Sequence, residues 1–178
     1  MTKDTFSTSR RSVLRLGAMS ALGVGLGIPA VSGSAAAWEC PRTPGYWANH
    51  GDEKAWDTVG DTYGLTPETL LKPAKGDKAK IMAKHLVATK LNFQNRNDPD
   101  PCVDDPIEYG PFAGEDMNMR AVKRLAEDWM EASNYPDKQK RWHVTIDGEK
   151  VDGEPIKNTL DMFNNDPSKL GLYGCNCK

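Results

Sequence analysis

The densest concentration of reactive side chains in this 178-residue sequence is Cys40-Pro41-Arg42-Thr43-Pro44-Gly45-Tyr46-Trp47-Ala48-Asn49-His50. A thiol, an imidazole and two aromatics within one short stretch allow two kinds of chemistry. One is metal binding, with His50 and the more distant His85 as the candidate ligands. A Cys/His zinc site is the weaker form of that reading, because the chain has no paired C-x-x-C spacing. The other reading is structural. Pro44-Gly45 presets a turn, Pro fixing one φ and Gly tolerating a positive one. Tyr46 and Trp47 then supply large apolar faces with polar tips that need partners when buried. On this reading both aromatics anchor the core and His50 forms a hydrogen-bonded second layer. Asp52 is the best N-cap for the helix that follows.

The four cysteines, Cys40, Cys102, Cys175 and Cys177, form an even set that reads as two disulfides in an oxidising compartment. Cys175 and Cys177 have only Asn176 between them, a poor geometry for bridging each other. The tail is therefore expected to be stapled to both Cys40 and Cys102. No free thiol remains for a cysteine nucleophile on that reading. Hydrolase constellations are missing as well. Ser133 and Ser168 are the only serines after residue 37, and there is no nucleophile elbow, phosphate loop or H-E-x-x-H helix.

The elements that hold these residues in place follow from spacing. Glu53 to Val59 has helical periodicity with Trp56 inward. Thr66-Pro67-Glu68 opens a short helix to Leu71, because Pro73 biases Lys72 away from helical geometry. From Asp77 to about Asn92, Ile81, Met82, Leu86, Val87 and Leu91 form a wide apolar face, with Lys78, Lys80 and Lys84 in water. Residues 93–114 read as a solvated acidic loop pinned by Cys102, with calcium chelation by its aspartates as the alternative. Glu115 to Ala132 is a second amphipathic helix striped by Val122, Leu125, Ala126, Trp129 and Met130. Trp142 to Val151 reads as a hairpin turning at Asp147-Gly148, and Pro155 to Phe163 as a closing helix. The expected fold is mainly α, a compact disulfide-stapled helical domain with one small β-hairpin. Trp47 and His50 are expected to lie against the Asp77–Asn92 helix, His50 near His85 or a backbone carbonyl.

Residues 1–37 read as an address. Ser9-Arg10-Arg11-Ser12-Val13-Leu14-Arg15 matches the twin-arginine export pattern, and the apolar run to Val31 is too short and weak for a membrane span. Ala35-Ala36-Ala37 is an A-x-A cleavage site, so residues 38–178 form a single mature domain, with no membrane span. Cleavage removes Lys3, Arg10, Arg11, Arg15 and Asp4, leaving 19 basic and 24 acidic side chains. That balance argues against nucleic acid or an anionic membrane surface as a partner.

Three blocks resemble a family of exported bacterial and archaeal proteins of unknown function with a Gly-Tyr-Trp-x-Asn-His motif. They are Arg42 to His50, then Leu70-Leu71, Lys75-Gly76-Asp77, His85 and Lys90-Leu91-Asn92, and finally Leu160 to Asn165 before a Gly-Cys end. Ala48 departs from the family, which usually has Lys there. Residues 94–115 and 142–153 look like insertions. The resemblance implies export and pairing of Cys40 with the C-terminal cysteines, but brings no activity. The function expected from these readings is an exported, non-catalytic binding or structural module. Its partner is an envelope or extracellular protein or glycan, and no cofactor is required. The alternatives are a metal-binding protein using His50 and His85, and a glycan-binding module using an exposed tryptophan such as Trp47 or Trp142.

Overall fold

Thr43-Pro44 is a helix start, where Pro44-Gly45 alone suggests a turn. The computed structural model describes residues 40–50, 53–94, 101–173 and 175. In it, helix α1 runs Pro44–His50. Pro44 takes the first helical position, where a missing N–H is harmless. The Thr43 hydroxyl accepts the Tyr46 amide at 3.0 Å and caps the first turn. The leader at 1–37, Trp38, the Asp52 cap, residues 95–100 and Cys177 lie outside the described residues.

Helices α2 (Glu53–Thr58) and α3 (Pro67–Leu70) are short, and their Trp56 and Leu70 are buried. Pro67 opens α3 as the spacing predicts, and the Thr69 hydroxyl accepts the Thr66 amide at 2.7 Å. Asp77 stands just outside the next helix, α4 (Lys78–Gln94), and its Oδ1 accepts the amides of Ala79 and Lys80 at 3.1 and 3.3 Å. The apolar pattern of α4 predicts one wide face. Burial instead nearly encircles the helix, taking in Met82, Ala83, Leu86, Val87, Ala88, Thr89, Leu91 and Asn92. A helix covered on most sides belongs at the centre of the fold. It packs against α1, α2, and two later helices, α6 (Met119–Ala132) and α7 (Gly153–Asn165).

The expected proline-rich loop carries one helical turn, α5 (Pro101–Asp104). Proline breaks a helix interior, but Pro101 occupies the first position, where it is tolerated. Cys102 and Val103 on that turn are buried, so the segment is part of the core rather than a solvated loop. Helix α6 begins four residues later than its periodicity predicts, because the Asn118 side chain accepts the Ala121 amide at 3.0 Å and sets the start.

Strands β1 (His143–Ile146) and β2 (Glu149–Asp152) form the expected antiparallel hairpin, with His143 opposite Asp152 and Ile146 opposite Glu149. Asp147 and Gly148 take φ of 51° and 83°, the left-handed pair that a tight two-residue hairpin turn requires. Asp152 then caps α7 by accepting the Glu154 amide at 3.0 Å. A 3₁₀ turn at Pro167–Leu170 leads into the tail, and Cys175 is bonded to Cys102 with Cα atoms 4.8 Å apart. The described residues belong to one compact unit. The fold is mainly α, with one two-stranded hairpin and a disulfide between the tail and α5.

Candidate functional site

The opening motif divides between an inner and an outer face. Trp47 points inward, is 5% exposed, and donates its indole N–H to Asn92 Oδ1 at 3.0 Å. The same oxygen accepts the Arg42 amide at 2.7 Å. Asn92 Nδ2 donates to the Arg42 carbonyl at 2.9 Å and to Asn164 Oδ1 at 2.8 Å. The two donor hydrogens and two acceptor sites of this buried amide are therefore all used. Asn164, on α7, donates in turn to the His85 carbonyl at 2.9 Å. The Thr89 hydroxyl lies 3.1 Å from Asn164 Oδ1 and joins the same network.

The network ties the chain before α1 to α4 and α7. Burying an amide is tolerable only when its groups are paired, and each orphaned group costs about 1–3 kcal/mol. Residues 42–47, 92 and 164 come from the three blocks singled out in the sequence, and they meet at this point. The roles of Asn92 and Asn164 were not anticipated from the sequence. The available signal was an asparagine following a core residue in each helix, Leu91-Asn92 and Phe163-Asn164.

The outer face is a column. The Arg42 guanidinium lies 4.9 Å from the Tyr46 ring centre, and the Tyr46 and His50 rings stack at 4.7 Å. His50 is exposed, and its Nδ1 is 3.2 Å from the Tyr46 carbonyl one turn back. It is not the second layer of the core that the sequence suggested. Four-residue spacing places it over Tyr46, while Trp47 takes the side facing α4. Asn49 is exposed as well and donates to the Gly45 carbonyl at 2.7 Å.

His85 lies in a different environment, half-buried on α4. Its Nδ1 has no hydrogen-bond partner and sits 3.6 Å from Asp161 Oδ1 on α7. Burial pushes its pKa from 6.5 down to about 4, against the upward pull of Asp161 and with Lys157 and Lys84 adding to the depression. The ring is therefore neutral at pH 7, and its contact with Asp161 is not an ion pair there.

Among the described residues, no three His, Cys, Asp or Glu side chains come close enough together to hold a metal ion. His50 is bound within its own helix, and the His85 ring is held against α7. Of the aspartates considered for calcium, Asp104 pairs with Arg120, and Asp98 and Asp100 lie outside the described residues. Among the described residues, no tryptophan is exposed. Trp47, Trp56 and Trp129 are buried. Trp142 is half-buried, 6.0 Å from the Trp129 ring, and Lys78 Nζ covers it at 5.0 Å. Cys40 and the Cys102–Cys175 pair are disulfide-bonded, so none of these thiols is a nucleophile. No protein-family model, curated protein or solved structure matches the chain.

Proposed function

We propose that the chain is an exported, non-catalytic binding or structural module acting at or outside the cell envelope. The observation that carries this reading is the internal use of the motif's polar groups. Trp47, Asn92 and Asn164 satisfy one another, and the described cysteines are bridged, which leaves no assembled nucleophile and base among them. The arrangement supports a rigid scaffold that presents a surface. The twin-arginine pattern at Ser9 to Arg15 and the Ala35-Ala36-Ala37 step support export, and the disulfide accords with an oxidising destination. The motif blocks add support through their resemblance to exported proteins. An envelope or extracellular protein or glycan is the partner class.

The test is the double variant Arg10→Lys, Arg11→Lys, followed by fractionation. The paired arginines are the receptor-read part of the signal, so the variant precursor should stay in the cell. The unaltered chain should appear outside the cytoplasm with Trp38 as its first residue. Unchanged secretion of the double variant, or a cytoplasmic unaltered chain, would overturn the reading.

A further inference from the structure

The charge on the surface is unevenly distributed. Lys72, Lys75, Lys80 and Lys138 line an open depression of about 500 Å³, together with Pro73, Ala74 and Asp77. The segments are held side by side by the Lys78 amide, which donates to the Gln139 carbonyl at 2.7 Å. Two further lysines border them. Lys84 Nζ donates to the Lys72 carbonyl, and Lys78 lies over Trp142. The one carboxylate of the lining, Asp77, has its Oδ1 taken by the amides of Ala79, Lys80 and Gln139.

Among the described residues, none of these six lysines has an ion-pair partner, whereas Lys90, Lys123, Lys157 and Lys169 do; Lys140 and Lys150 are unpaired as well but do not line the depression. Lys90 and Lys123 share Glu127, and Lys157 pairs with Asp161. A chain with 24 acidic and 19 basic residues after position 37 has thus gathered four unpaired lysines around one depression, with Lys84 beside Lys72. Their mutual repulsion is felt at Lys84, whose pKa is lowered by burial and then by Lys80.

We infer that this lysine face is a docking site for an acidic polysaccharide, recognised through carboxylate or sulfate groups along the chain. The inference rests on the reading of the protein as an exported binding module. A thin linear polyanion touches the lysines alone, and beyond a Debye length of about 8–10 Å the acidic remainder is screened. A flat anionic membrane would bring that acidic remainder close, and among the described residues Leu71 is the one large exposed aliphatic beside the lysines. A single-stranded nucleic acid needs aromatic platforms for its bases. Trp142 is already covered by Lys78 and cannot serve as one. Acidic peptide motifs are read by clustered arginines, and the lining has no arginine and no aromatic or large aliphatic anchor.

The test uses the exported, disulfide-bonded protein with four immobilised probes: polygalacturonate, dextran sulfate, single-stranded DNA and phosphatidylglycerol vesicles. Neutral dextran is the blank. The expected result is binding to the two acidic polysaccharides in preference to DNA and vesicles, weakening between about 50 and 200 mM salt. The variant Lys72→Gln, Lys75→Gln, Lys138→Gln removes three exposed charges and should bind at least about tenfold more weakly, with an unchanged melting temperature. The control Lys150→Gln, Lys169→Gln should bind as the unaltered chain does. Equal loss in both variants, preference for DNA or vesicles, or no binding to either acidic polysaccharide would overturn the inference. Fractionation is scored separately. An exported chain that ignores the polysaccharides overturns only the ligand class, whereas a chain retained in the cell overturns the module reading.

Discussion

Trp47 and His50 are three residues apart in one motif, and their substitutions should behave differently. Trp47→Ala removes a buried aromatic and leaves Asn92 without one donor, so it should cost about 3–5 kcal/mol. Trp47→Phe keeps most of the apolar surface and loses the indole hydrogen bond, costing about 1–3 kcal/mol. His50→Ala, at an exposed position, should stay within about 0.5 kcal/mol. Urea unfolding of the three variants checks the order, and a His50→Ala loss as large as that of Trp47→Ala would refute it. His85 makes a separate prediction through pH. Its folded pKa of about 4 lies below its ordinary 6.5, so the unfolded chain takes up the proton first. The stability contributed by burying neutral His85 is intact above about pH 6.5 and is lost as pH falls toward about 4. The full shift corresponds to a loss of about 3 kcal/mol at most. His85→Gln should flatten this part of the stability profile. A variant with the same acid slope as the unaltered protein would show that another group carries it.

The element most sensitive to a small change is the junction of β2 and α7. Gly153 donates its amide to the Trp142 carbonyl at 2.7 Å, and Trp129 Nε1 donates to the same oxygen at 2.9 Å. A Cβ at Gly153 would lie 2.5 Å from Trp129 Cε2. Gly153→Ala must therefore displace Trp129, a fully buried ring in the last turn of α6, or shift α7 away from it. Overpacking of this kind costs about 1–3 kcal/mol. The expected outcome is a lower melting temperature with altered tryptophan fluorescence. A Gly153→Ala variant as stable as the parent would mean the junction yields easily.

At the scale of the whole molecule, the Cys102–Cys175 bridge spans 73 residues and joins the tail to α5. Closing a loop of that length restricts the unfolded chain and stabilises the fold by about 4 kcal/mol in the chain-entropy account. The double variant Cys102→Ala, Cys175→Ala should lose stability of that order under non-reducing conditions. Both sulfurs are buried, so part of the loss will be packing. A double variant within about 1 kcal/mol of the parent would show that this bridge is not what holds the tail.

Local chemistry determined a good deal of this protein from the sequence. Thr66-Pro67 marks a helix start, Asp147-Gly148 a hairpin turn, and Trp56, Val122, Trp129 and Leu160 the inward positions. Each depends on neighbours within a turn or two, where capping, positive φ and periodicity act directly. The start of α1 at Thr43-Pro44 was also legible, since it repeats the Thr66-Pro67 pattern, but Gly45 made it resemble a turn. What only the tertiary structure decided was the use of polar residues across long separations. Asn92 and Asn164 look like ordinary surface or cap residues until α4 is covered from several sides. The burial of α4 then makes their pairing with each other, Arg42 and Trp47 obligatory. The same coverage separates His85, shielded by α7, from His50, exposed on a short helix. A one-dimensional pattern cannot report such partners, because desolvation of a polar group depends on every element packed around it.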